Sequence, residues 1–375
     1  MATVQPIVYT HDAKSQLDEF LRVICEQLQL PSYRYQLADQ RYGTINRLLE
    51  APGSPFVAYT PRIYPQGSMA LGTTVKHDGV PHDLDFVLEL HAWNLQIRPM
   101  ELLHALYEFF KGNDTYKNLT GLKNRCVRLE YADDFYLDIL PACRDMRLGG
   151  TCISIPDRAL QGWSPSNPEG YISWFKRRSA IRQMMMDKAA PLPPQEAVEE
   201  KRPLQLSVQL LKRARDVKFG DSALAPISVV LTTLAATHYA GEDSVSDAMA
   251  VILAGITTVI DYADRRGKRI DVCNPSNPGE DFAERWDATP QAYQAFKQWI
   301  LELDHEWRAI STSRHNPAEA LEKIFGEYDS LAEVELADRL QGARKAGHLG
   351  VTRAGIITAV APATRVRPNV FHGDE

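Results

Sequence analysis

Three acidic side chains and a glycine-serine pair carry most of the chemistry this sequence offers. Asp83 and Asp85 lie in HDLDFVLELHAW, an apolar, β-rich stretch that reads as a central strand. Residues two apart on a strand point to one face, so the two carboxylates stand side by side while Leu84 and Phe86 face the other way. Such a pair repels itself and raises one pKa unless a cation neutralises it, which makes Mg²⁺ the natural occupant. Asp138 stands between Leu137 and Ile139 in a second apolar strand, where an uncompensated carboxylate is costly. Together the three acids can hold two magnesium ions about 3.5–4 Å apart, one activating a hydroxyl and one clamping a triphosphate and its leaving pyrophosphate. Mn²⁺ is expected to substitute. Gly67 lets backbone approach a phosphate closely, and Ser68 adds a hydroxyl and the start of a helix whose amides attract anions. A Gly-Ser pair alone is more often an ordinary turn, and two alternate acids alone are often a solvated strand edge. The third acid makes coincidence the poorer explanation. For metal chemistry the trio must converge in space, and must not be neutralised by arginines with no room left for an ion.

The elements that must position these groups follow from hydrophobic spacing. Residues 12–31 and 32–50 read as helices, RIYPQGS ends a short strand, and residues 99–111 read as a helix with Leu102, Leu103, Leu106, Phe109 and Phe110 inward. CVRLEYA and FYLDIL flank Asp133-Asp134, a hairpin turn, and residues 151–155 supply one more strand. After Trp163 the pattern is helical, around 168–188, 203–218, 225–240, 244–264, 290–309 and 316–345. The expected class is α+β: a small mixed sheet with N-terminal helices in residues 1–190, then an all-helical domain over 191–375, with the active-site cleft between. The proline-rich run AAPLPPQEAVEEKRP marks the boundary.

Composition narrows the function. The chain has 375 residues, 44% hydrophobic and 24% charged, a make-up able to bury a large core. A net charge of -6 argues against wrapping a long polyanion, whereas a small nucleotide needs only a local basic pocket. Five cysteines with no CxxC spacing support neither a disulfide framework nor a zinc knuckle. No signal-peptide pattern and no apolar run of spanning length is evident, so a cytoplasmic protein with no membrane partner is expected; a monomer is expected as well.

QGSMALGTTV, DLDF and YLDILPA together resemble the polymerase-β-like nucleotidyltransferases, specifically the bacterial cGAS/DncV-like group, the CD-NTases. SNPEGYISWF, QLSVQLLKRARD, PISVVLTTLAA and NPSNPGEDFAERW are similar to successive segments of that family, over roughly residues 55–290. The resemblance implies a polymerase-β-like core with an oligoadenylate-synthase-like helical domain. It makes Asp83, Asp85 and Asp138 metal ligands and catalytic acids, and puts Gln66, Gly67 and Ser68 on the donor triphosphate. Lys212 and Ser228 become contacts from the helical lobe. The Asn274–Trp286 segment, rich in Asn, Pro and Gly between two helices, reads either as a cleft mouth in which Asn277 contacts a base or as a surface loop. The resemblance further implies ATP and GTP as substrates, a cyclic di- or trinucleotide product, and a downstream effector that the product activates in antiphage (CBASS) defence. The animal member's clustered His and Cys insertion is absent, which disfavours activation by DNA, and no sequence-specific nucleic acid is expected. Of the acids, Asp138 is the expected acceptor of the hydroxyl proton.

Several features carry blander readings. Lys212, beside Leu206, Leu210 and Leu211, is as a rule a snorkelling lysine, and Ser228 a small polar residue near a helix start. His77 and His82 read as loop histidines, Met184 to Met186 as helix core, and Arg265, Arg266, Lys268 and Arg269 as a solvated charge run. Two rival functions use the same residues: an RNA-tailing or drug-modifying nucleotidyltransferase, and a silent nucleotide-binding scaffold. Synthesis from NTPs alone separates the first from a cyclase, and binding without turnover marks the second.

Overall fold

The computed structural model describes residues 13–76, 81–131, 135–180, 200–312 and 318–327, with residues 196 and 198 and scattered positions beyond 333. Seven strands form one sheet: β1 (Arg62–Pro65), β2 (His82–Trp93), β3 (Thr120–Leu122), β4 (Val127–Tyr131), β5 (Phe135–Arg144), β6 (Ile153–Asp157) and β7 (Gly162–Ser166). The order is β1-β2-β5-β4-β3, with β6 on the end of β5 and β7 beside β6. Every pairing is antiparallel except β2 with β5. A parallel pair needs a crossover, and here it runs through a helix, α4 (Pro99–Lys111), and the β3–β4 hairpin. That helix opens on a proline at its first turn and turns Leu102, Leu103, Leu106 and Phe110 inward.

Alternation along the two long strands splits the sheet into an apolar face and a polar one. Leu84, Phe86, Leu88, Leu137 and Ile139 join the core built with α2 (Ser32–Glu50) and α4; Tyr42 of α2 stacks on Phe86 at 4.7 Å between centroids. The expected turn at Asp133-Asp134 falls outside the described residues, but β4 and β5 pair antiparallel up to Tyr131 and Phe135 on either side of it.

The second core is helical. It joins α1 (Ala13–Gln27), α5 (Pro168–Ser179), α6 (Pro203–Phe219), α7 (Ser228–His238), α8 (Val245–Asp264), α10 (Pro290–Thr312) and α11 (Ala318–Phe325). Between α8 and α10 come a two-stranded hairpin, β8 (Cys273–Asn274) and β9 (Asn277–Asp281), and a short helix, α9 (Arg285–Ala288). Chain order and packing part company at α1 and α5. Leu21, Val23, Ile24 and Leu28 of α1, and Tyr171 and Phe175 of α5, are buried with the helices that follow in sequence. Helix α3 (Gly67–Leu71) bridges the two regions.

Local signals set the helix ends. Asn167 caps α5 by accepting from Gly170 N at 3.0 Å, and the backbone N–H of Arg202 donates to Gln205 Oε1 at 2.9 Å at the start of α6. Helix α5 stops at Ser179, short of the expected 188, because Ala180 takes an extended conformation. Met184 to Met186 and the prolines at 191, 193 and 194 lie outside the described residues. By length and composition α8 is apolar enough to span a membrane, contrary to the expectation of no such run. Its apolarity has a core explanation: Val245, Ala248, Met249, Ile252, Leu253, Ile256 and Ile260 are all buried in the helical core. The five cysteines are free thiols, three of them buried.

Candidate active site

The parallel register decides where the acids meet. Asp85 pairs with Asp138 and Asp83 with Tyr136 across β2 and β5, so alternation puts all four side chains on the sheet face away from the apolar core. Asp83 is exposed, Asp85 half-buried and Asp138 buried. Burial pushes the Asp85 carboxyl up to about 7, and the negative charges of Asp138 and Asp83 push the same way, against Arg128 and Lys212. No hydrogen bond to the Asp85 carboxylate is formed among the described residues.

Gly67 sits directly over that carboxylate. Its φ is +62°, and a β-carbon there would lie 2.5 Å from Asp85 Oδ2, so both backbone conformation and space require glycine. The neighbouring Gln66 N–H donates to the Asp85 carbonyl at 2.8 Å, tying the turn to β2. Ser68 accepts a hydrogen bond from Thr74 Oγ1 at 3.3 Å.

Gln66, Gly67, Ser68, Asp83 and Asp85 line a cleft of about 640 Å³, together with Thr73, Tyr171, Lys212, Arg215, Ser228, Asn274, Glu280 and Phe282; Asp138, buried beside Asp85, is not part of the lining. A wider hollow of about 760 Å³ between α2 and β1 contains none of the acids.

Helix α6 forms one wall and grips the loop after α3. Gln205, Gln209 and Lys212 share one helix face and donate to the carbonyls of Leu71 (3.1 Å), Thr74 (2.6 Å) and Thr73 (2.8 Å). Lys212 therefore neither snorkels nor reaches freely into the cleft. It is buried against Thr73, and desolvation, aided by the nearby Arg215 charge, lowers its pKa to about 7. Ser228, at the first turn of α7, accepts from Arg215 Nη1 at 2.9 Å on the same wall.

Asn277 departs from its expected place. The tight β8–β9 hairpin pairs it with Asn274 and buries it away from the cleft lining, its Nδ2 without a hydrogen-bond partner among the described residues. From that segment Asn274, Glu280 and Phe282 line the cleft instead. Glu280 ties the wall together, accepting from Ser166 Oγ at 2.9 Å and Asn274 Nδ2 at 2.8 Å. His82 is not a loop histidine: it opens β2, is buried 3.0 Å from Arg34 Nη1 and lines the same cleft as Asp83 and Asp85; His77 lies outside the described residues. Arg269 pairs with Asp281 and Asp287, so that part of the basic run is structural.

Arg128 is the residue that spacing failed to single out. It opposes Asp138 across β4 and β5 and donates to both carboxylate oxygens, from Nε and Nη2, at 2.7 Å each. The same Nη2 lies 3.3 Å from Asp83 Oδ1. The trio converges, yet arginine already neutralises two of its members, and no three-residue metal-ligand cluster is preformed among the described residues. The available signal was alternation in VRLEY, where Arg128 falls on the same sheet face as the acids.

The donor set still suits a divalent ion. It offers hard carboxylate oxygens on one face, with no hydrogen bond to the Asp85 carboxylate among the described residues and its anionic form disfavoured first by burial and then by Asp138 and Asp83. A doubly charged ion there would relieve the repulsion on Asp85, which Arg128 offsets through charge alone while it hydrogen-bonds Asp138 and Asp83.

Residues 14–179 match the family described as the Second Messenger Oligonucleotide or Dinucleotide Synthetase domain. A c-di-GMP synthase of Roseivirga ehrenbergii is 30% identical, covering 98% of this chain and all of that protein. The cyclic dinucleotide synthase CdnG of Bradyrhizobium diazoefficiens is 26% identical, covering 94% of each. The solved structure of that CdnG in complex with GTP superposes with a TM-score of 0.70 at 25% identity, covering 86% of this chain and 98% of the other.

Proposed function

Because the chain belongs to the bacterial CD-NTases, nucleotidyltransferases with a polymerase-β-like core and a helical domain, we propose that it joins GTP, alone or with ATP, into a cyclic dinucleotide. Guanine is favoured because one full-length relative is named a c-di-GMP synthase and another was solved with GTP. The observation that carries the site is the Asp85–Asp138 register beneath Gly67, which gathers acids where Asp83 and Asp85 line the cleft and Asp138 lies beside Asp85.

Asp83, Asp85 and Asp138 would hold Mg²⁺, or Mn²⁺ in its place. The ions supply charge neutralisation for the triphosphate and acidify the attacking hydroxyl. The protein does the rest by position. Gly67 leaves room for the donor triphosphate beside Asp85, and Gln66 and Ser68 lie at the same end of the cleft. Lys212 acts by fixing the Thr73 carbonyl, and with it the loop that follows Ser68. A ribose hydroxyl of the acceptor attacks the donor α-phosphorus, the α-β bridging bond breaks, and pyrophosphate leaves. Repetition on the linear product closes the ring. Asp138 takes the hydroxyl proton in this scheme once Arg128 has released it. The product would act in the cytoplasm as an antiphage (CBASS) signal to an effector, in keeping with the family.

Mass spectrometry of reactions with all four NTPs and Mg²⁺ or Mn²⁺ tests the proposal. The expected product is a guanine-containing cyclic dinucleotide formed without any added acceptor. Products only on added RNA or a small-molecule acceptor would replace it with a tailing or modifying activity, and nucleotide binding without turnover would replace it with the scaffold.

A further inference from the structure

The acid cluster contains a cation of its own. Arg128 is two-toothed on Asp138, reaches Asp83 through Nη2, and its Cζ lies 4.6 Å from the centre of the Tyr136 ring. A guanidinium is planar and permanently charged, and its two-pronged bond to a carboxylate is among the stronger hydrogen-bonded ion pairs. Asp85 receives no such bond, so the compensation is uneven: two carboxylates are satisfied and the one beneath Gly67 is not.

We propose that Arg128 is a positioning residue that serves as the counterion of Asp138 and Asp83 in the nucleotide-free enzyme and competes with the divalent ion for them. Metal then loads in company with the triphosphate, whose negative charge gives the displaced guanidinium a new partner. The face of Tyr136 lies against the guanidinium and offers it a contact independent of the carboxylates. The proposal rests on the metal-site reading above and adds an order of events to it. A brace that merely held β4 to β5 would act in the opposite sense, since its loss would loosen the acids and weaken metal binding.

Mn²⁺ titration of the full chain, read by the paramagnetic resonance of free Mn²⁺, separates these cases. Wild type, Arg128→Ala, Arg128→Lys and Asp85→Asn are compared without nucleotide and with a non-hydrolysable GTP analogue. Without nucleotide, Arg128→Ala is expected to bind Mn²⁺ about tenfold or more tightly than wild type, the scale set by losing one competing ion pair. Arg128→Lys falls between, and the gap narrows with the analogue. Thermal unfolding supplies a second reading: Mn²⁺ should raise the Tm of Arg128→Ala more than that of wild type. Unchanged or weaker binding in Arg128→Ala, while wild type binds through Asp85, overturns the inference and leaves the metal site standing. Failure of wild type to bind Mn²⁺ even with the analogue overturns both.

Discussion

Replacing Gly67 by alanine should separate the two things glycine does at this turn. The backbone at Gly67 has φ +62°, a conformation that costs an L-residue roughly 1–2 kcal/mol. Unfolding entropy of about 2.1 cal/mol/K per residue gives roughly 0.8 kcal/mol/K for a chain of this length, so that cost lowers Tm by about 2 °C. The added β-carbon would also lie 2.5 Å from Asp85 Oδ2 and 3.3 Å from its Cγ. Restoring ordinary contact requires a shift of roughly 1 Å, a misplacement able to cost about 100-fold in rate at a site that works by alignment. Gly149 supplies the control, since its φ is +65° and nothing lies within 4 Å of a β-carbon there. Gly149→Ala should lose the same 2 °C or so and keep its rate. The assay is the initial rate of product formation by chromatography, with calorimetry for Tm. If Gly67→Ala kept more than about half the wild-type rate while losing as much stability as Gly149→Ala, the Gly67–Asp85 contact would have no part in alignment.

Two further outcomes follow from buried charge. Asp85→Asn should fold but make no product; because the folded state raises this carboxyl from 3.8 to about 7, its anion destabilises the protein increasingly as pH rises across that window. The metal-free variant should therefore melt above wild type at pH 8 and level with it near pH 4, and Mn²⁺ should raise only the wild-type Tm; equal melting at pH 8 would refute it. Lys201 is buried on Gln29 Oε1, and desolvation lowers its pKa from 10.5 to about 8. The unfolded chain thus binds more protons between those values, and wild-type stability gains with rising pH there. Lys201→Met should lack that gain, so its Tm relative to wild type falls between pH 8 and 10.5; a parallel pair of curves would show the group is solvated.

Much of the architecture was open to local inspection. The pairing of Asp83 with Asp85 follows from the two-residue period of a strand, and α4, α6, α7, α8 and α10 from apolar spacing and from Pro99, Pro203 and Ser244 at their starts. The misses have physical causes. Gly162–Ser166 and the β8–β9 hairpin are too short and polar to carry a period, and their strand character comes from the partners they meet. Asn277 was placed in the cleft because a loop rich in Asn, Pro and Gly reads as a mouth, whereas the hairpin turns it inward and leaves Asn274 and Glu280 facing the cavity. Lys212 stood in a recognisable segment, but nothing nearby in the chain indicates that its ammonium bonds to the Thr73 carbonyl.

From its residues alone, this chain determined that two carboxylates share one strand face, that a glycine precedes them, and that helices dominate its second half. Those properties depend on neighbours within a few positions, where stereochemistry leaves little choice. Only the tertiary structure decided that β2 and β5 run parallel in the register that sets Asp138 beside Asp85, that α1 is buried with helices far along the chain, and that Arg128 holds two of the three acids. Strand register and helix docking are settled by the burial of whole faces, so the partner of each charge is a property of the assembled fold.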